Sequence, residues 1–150
     1  MRAITHSAEE TVSLGVKFSS ILKDKDVILL EGELGAGKTT FVQGVMQGLG
    51  YKHKVTSPSF TLMRLYRVKP ACICHVDLYR LGADDIFSLG IEDWLGVCGH
   101  IALIEWGGKI AHLLKEYITV SFKFNSQEKR LVTFSFKNSP GRKKNEFIGA

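Results

Sequence analysis

Apolar residues along this chain fall into three kinds of run, and their order predicts the architecture. Val27-Ile28-Leu29-Leu30 is continuous, the pattern of a strand buried on both faces of a sheet. Residues 71–80 and 100–106 contain similar strand runs, each ending in an acid, Asp77 and Glu105. A second kind repeats at helical spacing. Leu14, Phe18, Ile21 and Leu22 follow Ser7-Ala8-Glu9-Glu10, a capping-box pattern in which Ser7 accepts from the Glu10 N–H and Glu10 reaches back to the N-cap. Lys23 and Lys25 are expected near the C-terminal end of that helix, where cations suit its dipole. Phe41, Val42, Val45, Met46 and Leu49 mark a second helix, with Gly50 as its left-handed cap.

The third kind alternates. Residues 118–124 and 130–136 predict two antiparallel strands around the polar loop 125–129, and 62–67 has mixed strand character. Residues 84–90 and 91–95 predict two short helical turns split at Gly90, and 109–114 a further short helix. The expected fold is α/β: a mostly parallel central sheet flanked by helices, with an antiparallel C-terminal hairpin at its edge.

Between the first buried strand and the second helix stands Gly32-Glu33-Leu34-Gly35-Ala36-Gly37-Lys38-Thr39, followed by Thr40. This is the P-loop spacing G-x-x-x-x-G-K-[ST], in its required strand–loop–helix setting. Glycines let successive N–H groups turn inward as a nest for phosphate oxygens. Lys38 adds a charge that reaches β/γ-phosphates, the Thr39 hydroxyl is expected to hold Mg²⁺, and the helix aims its N-terminal partial charge at the same place. Such a site needs an acid at a strand C-terminus, so Asp77 and Glu105 are both candidates, one to hold metal and the other to position water. Ser57-Pro58-Ser59-Phe60-Thr61 is either a switch or an ordinary turn whose hydroxyls satisfy local backbone groups. Trp94 reads as core; Trp106, directly after Glu105, suits stacking or plain packing.

Composition narrows the picture. The 150 residues, 45% of them hydrophobic, suit one domain over 1–136, and 137–150 reads as a basic, solvated tail. The net charge of +5 owes part of its excess to Lys137, Arg142, Lys143 and Lys144 in that tail. Three cysteines, Cys72, Cys74 and Cys98, are an odd number that argues against a disulfide framework, and the scattered histidines offer no zinc site. Without an apolar membrane-length run or a signal region, the expected location is the cytoplasm, with no membrane partner. A P-loop serves an ATPase, a small-molecule kinase or a nucleotide-gated interaction module. No arginine finger is evident from spacing, and a GTPase reading lacks an [NT]-K-x-D guanine motif.

Four blocks in register carry a resemblance: Gly-Glu-Leu-Gly-Ala-Gly-Lys-Thr-Thr at 32–40, Ser-Pro-Ser-Phe-Thr-Leu at 57–62, His-Val-Asp-Leu-Tyr-Arg-Leu at 75–81 and Ile-Glu-Trp-Gly at 104–107. From about Ser7 to about Phe136 the chain resembles the bacterial P-loop ATPases of tRNA threonylcarbamoyladenosine biosynthesis, the TsaE/YjeE family. That resemblance implies an ATPase using ATP and Mg²⁺ that works with a two-subunit threonylcarbamoyl transferase, which modifies the adenosine next to the anticodon of ANN-decoding tRNAs. With no arginine finger evident, turnover of the isolated chain is expected to be slow and to rise with that partner. The tRNA is then met indirectly, through the complex. By position, Gly35, Ala36, Gly37, Lys38, Thr39 and Thr40 are implied to cradle the phosphates, Thr39 and Glu105 to bind Mg²⁺, and Asp77 to sit by the γ-phosphate. Residues 57–61 become a switch candidate, and the helix start near Ser7 and Ala8, together with Arg130, is implied to approach the nucleotide. The stretch after Trp106 lacks a proline common in the family before its last strands, and the basic end beyond Phe136 has no counterpart there.

Overall fold

The continuous apolar runs become the centre of a seven-stranded sheet in a computed structural model that describes residues 1–125 and 128–139. The strands are β1 (Arg2–Thr5), β2 (Val27–Glu31), β3 (Met63–Val68), β4 (Ala71–Asp77), β5 (His100–Glu105), β6 (Tyr117–Phe124) and β7 (Arg130–Lys137), in the order β1-β7-β6-β2-β5-β4-β3. Parallel pairing joins β6, β2, β5 and β4, while β1, β7 and β3 join antiparallel. The helices are α1 (Ala8–Ser19), α2 (Lys38–Gly48) and α3 (Ala83–Ser88), with 3-10 turns at Ile91–Trp94 and Gly107–Leu113. No helix among the described residues is long and apolar enough to cross a membrane.

Alternation along the central strands explains their unbroken hydrophobicity. Ile28 and Leu30 of β2 face α1 and α2 with Ile73, Leu103, Val120 and Phe122, whereas Val27 and Leu29 face Ile86 of α3, Ile91 and Ile110. The first face is tied together by aromatic contacts, Phe18 to Phe41 and to Phe134 at 5.4 Å, and Phe41 to Phe122 at 5.5 Å. Both helices on that face approach closely through small residues. A Cβ added at Gly44 of α2 would stand 2.1 Å from the Val12 carbonyl oxygen of α1, and one at Gly15 would stand 2.4 Å from that of Phe41.

Several expectations change. The predicted hairpin forms, but it does not end the sheet: β6 pairs parallel with β2, and β1 lies outside β7, with Arg2 opposite Thr133 and Thr5 opposite Arg130. Four residues with only Thr5 buried carry too little alternation to announce β1. Ser7 does cap α1, accepting from the Glu10 N–H at 3.1 Å. The Glu10 carboxylate instead takes the His6 N–H at 2.7 Å, one residue before the N-cap, so the box is half-formed. Helix α1 ends at Ser19, which leaves Lys23 and Lys25 beyond it and Lys17 as the cation of its last turn. Gly50 adopts the expected left-handed conformation (φ 92°). From residue 140 onward, the basic tail lies outside the described residues.

Candidate functional site

The loop 32–37 leaves the C-terminal end of β2 and enters α2 through Gly37, whose φ of 110° is open to glycine and costly for other residues. Gly37 offers no side-chain cap, and the first turn of α2 holds no acid. The first N–H groups of α2 therefore face the site without a protein anion to satisfy them, the arrangement that receives an external anion.

The acids reach this loop by register. Asp77 and Glu105 are parallel partners on neighbouring strands, and alternation places Ile73, His75 and Asp77, with Leu103 and Glu105, on the α2 face. All the polar members of this row are buried. Glu105 Oε1 accepts from Thr39 Oγ1 at 2.8 Å and is bonded to His75 Nε2 at 2.9 Å. Asp77 Oδ1 accepts from the Tyr79 N–H at 2.9 Å, while Oδ2 accepts from Ser59 Oγ at 3.0 Å and lies 3.3 Å from Ser57 Oγ, whose proton serves the shorter contact to Ser59. The hydroxyl-rich loop thus bonds to a strand-end acid and, through Ser57 and Ser59 at 2.7 Å, to itself, rather than acting as a turn with purely local partners.

Lys38 is buried, and its ammonium donates to the carbonyls of Gly32 and, at 3.0 Å, Glu33. Its Nζ also lies 4.5 Å from the centroid of Trp106, which gives that aromatic a cation–π role. Burial pushes the Lys38 ammonium below the usual lysine value, against the raising influence of the Glu105, Asp77 and Glu31 carboxylates. Arg130, at the start of β7, enters from the far side: its Cδ lies 3.4 Å from where a Gly37 Cβ would stand, and its buried Nε has no hydrogen-bond partner.

Leu34, Gly35, Gly37, Lys38, Thr39, Thr40, Ser57, Ser59, Asp77, Glu105, Trp106 and Arg130 line a cavity of about 190 Å³. Ala36 is buried within the loop and Ala8 is not part of the lining. Helix α1 comes near the loop through Thr11, whose Cγ2 lies 3.6 Å from the Gly37 Cβ position. Two larger cavities, about 680 and 690 Å³, lie elsewhere, one apolar around Ile86 and Leu114 and one around Tyr51 and His53. The first also carries Lys25, Glu92, Lys115 and Glu116, but all four are exposed, whereas Lys38, Asp77 and Glu105 are buried; the second holds no acid.

Two residues that the sequence left without a role belong to the site's support. His75 gave a signal as the first residue of the 75–81 block and as the residue two before Asp77 on the same strand face, but neither assigned it a role. Lys109 gave none; its Nζ donates to the carbonyls of Leu78, Tyr79 and Leu81 at 2.7, 3.1 and 2.9 Å, pinning the turn that follows Asp77. Trp106, which precedes it, takes the left-handed conformation at φ 58°.

A central parallel sheet with this loop at a strand's C-terminal end, and acids at the ends of neighbouring strands, defines the P-loop NTPase fold. A family model described as "Threonylcarbamoyl adenosine biosynthesis protein TsaE" matches residues 5–132, and the chain belongs to the TsaE family. It is 37% identical over 138 residues to the tRNA threonylcarbamoyladenosine biosynthesis protein TsaE of Treponema pallidum, covering 89% of this chain and 98% of that protein. Identity to the protein of the same name from Bacillus subtilis is 36% over 135 residues, covering 87% and 82%. The crystal structure of Bacillus subtilis YdiB superposes with a TM-score of 0.75 at 30% identity, covering 89% of this chain and 83% of that one.

Proposed function

We propose that the chain binds and hydrolyses ATP in tRNA threonylcarbamoyladenosine biosynthesis, in the cytoplasm, with a two-subunit threonylcarbamoyl transferase through which it reaches ANN-decoding tRNA. The names of its relatives support the pathway. The chemistry rests on one observation: Lys38, Thr39, Asp77, Glu105 and Arg130 converge on the uncapped start of α2. A cavity of about 190 Å³ is below the roughly 300 Å³ of sites that enclose a whole ligand. Its enclosed part suits a triphosphate, with base and ribose at the rim.

Donor chemistry fits both groups. The orphaned Arg130 Nε and the free amides of α2 call for an anion. Thr39 and Glu105 supply the hard oxygen donors that Mg²⁺ prefers. Among the described residues no three His, Cys, Asp or Glu side chains form a metal cluster, but Mg²⁺ needs only one or two carboxylates when phosphates and water complete its shell. When bound, the ion neutralises charge on the phosphate oxygens. Lys38 and the loop amides bind and orient the triphosphate, and Asp77, steadied by Ser57, Ser59 and Tyr79, orients the attacking water. Positioning and electrostatics supply most of the rate in such transfers. The transferase is proposed to order a missing element, so turnover of the isolated chain is slow.

Phosphate release from ATP, alone and with the transferase, tests this reading. A release rate that depends on Lys38 and rises with the partner is expected. A phosphorylated acceptor in place of free phosphate would make the chain a kinase, and ATP binding without turnover in either condition would make it a nucleotide-gated module. Because Lys38 is buried and bonded to its own loop, rather than lying in an exposed cradle, Lys38→Ala is compared at matched folded fraction from melting curves.

A further inference from the structure

His75 is fully buried, and the roles assigned so far do not use it. Its Nε2 is bonded to Glu105 Oε1, the same oxygen that accepts from Thr39, and its Nδ1 is buried with no hydrogen-bond partner. The carboxylate is therefore held at one oxygen by two groups from two different elements, β4 and α2, while Oε2 makes no hydrogen bond. The alignment comes from the sheet. His75 is the parallel partner of Leu103, two residues before Glu105 on the same face, so the diagonal reach across one strand spacing brings the imidazole to the carboxylate.

The geometry also selects the tautomer. Oε1 is an acceptor, so the proton of the contact sits on Nε2, and no acceptor stands near Nδ1 for a second one. An imidazole fixed in one tautomer and packed on all sides is a rigid donor. Such donors behind metal-ligating groups typically set the ligand's orientation and affinity.

We propose that His75 is a positioning residue: through its Nε2–H it holds Glu105 so that the carboxylate and the Thr39 hydroxyl present a preformed place for the metal that accompanies the nucleotide. This rests on the reading of the site given above. A histidine kept only to fill the core would leave the metal step untouched when replaced by a packed apolar residue; a positioning histidine would not.

The experiment measures affinity for a non-hydrolysable ATP analogue in Mg²⁺ and in EDTA, for wild type, His75→Leu and His75→Gln, alongside ¹⁵N NMR of the wild-type imidazole. The ratio of the two affinities is expected to fall roughly 10–100-fold in His75→Leu, the usual cost of removing a group that orients a metal ligand. His75→Gln, which keeps an amide donor of similar reach, should restore much of it. Equal ratios in wild type and His75→Leu would overturn the proposal. So would an Nδ1–H tautomer in the wild-type spectrum, or an imidazole signal unmoved by Glu105→Gln, whether or not His75→Leu folds. A wild type that binds the analogue with no gain from Mg²⁺ would strike the metal reading of the site, and the tautomer and its response to Glu105→Gln would then decide the positioning role by themselves.

Discussion

Ser59 donates its hydroxyl hydrogen to Asp77 Oδ2 at 3.0 Å, joining the 57–61 loop to the end of β4. Phe60, the next residue, is 85% exposed, its ring meeting the Arg80 guanidinium at 4.7 Å, so the loop is held by the serine contacts and the buried Pro58 rather than by burial of its aromatic. Replacing both serines by alanine should release it. Chymotryptic cleavage after Phe60 is expected to accelerate about tenfold, equivalent to about 1.4 kcal/mol of local opening, with global stability little changed. An unaltered cleavage rate would show that the two hydroxyls do not restrain the loop.

Lys38 predicts a pH effect with a definite sign. Its folded value lies below 10.5, chiefly through burial. Between the folded and unfolded values the unfolded chain binds more protons, so stability rises with pH there. The cost of burying the charge is fully present below the folded value and relieved as pH rises through it. Urea melts of wild type and Lys38→Met from about pH 8 upward should show the wild type gaining on the variant as pH approaches 10.5. A constant difference would mean that Lys38 is no harder to charge in the folded protein.

Gly44→Ala sets helix propensity against close packing. Alanine gains about 1 kcal/mol over glycine in a helix interior. Its Cβ would stand 2.1 Å from the Val12 carbonyl oxygen, which belongs to the backbone of a packed helix and cannot swing away. Overpacking of this kind costs roughly 1–3 kcal/mol or more, so steric cost should win. A net loss of about 2 kcal/mol, or a Tm lower by roughly 4–8 °C at this chain length, is expected by calorimetry. An unchanged or higher Tm would show that α1 and α2 slide apart freely.

Lys109→Met removes three bonds from one ammonium to the carbonyls of Leu78, Tyr79 and Leu81 while keeping the aliphatic stem. Hydrogen bonds to charged groups contribute about 1.5–3 kcal/mol when buried, and partial exposure here brings the expected total to about 2 kcal/mol. Hydrogen exchange in residues 78–82 should quicken more than exchange in β5. Uniform change across the sheet would assign Lys109 a general rather than a local role.

Legibility followed distance along the chain. The P-loop is a contiguous octet, and its glycines, Lys38 and Thr39 carry their chemistry in local backbone and side-chain requirements. The acids at 77 and 105 were visible because each closes a strand-like run. The seven strands were legible wherever they alternated or ran continuously apolar; β1, four residues with one buried, was not. The hairpin's existence was local, but its place was not, because nothing within residues 117–137 states that β6 pairs with β2 or that β7 has a further neighbour.

The amino-acid sequence by itself determined the strand–loop–helix that builds an anion cradle, the two acids at strand ends, and the resemblance that their spacing carries. Tertiary structure alone decided that Asp77 and Glu105 stand side by side, that Glu105 meets Thr39 across 66 residues of chain and His75 across 30, and that Arg130 reaches Gly37. The reason is physical. Periodicity encodes which face of its own element a residue occupies, whereas register and strand order, set by packing of the whole sheet, choose the partner it meets there.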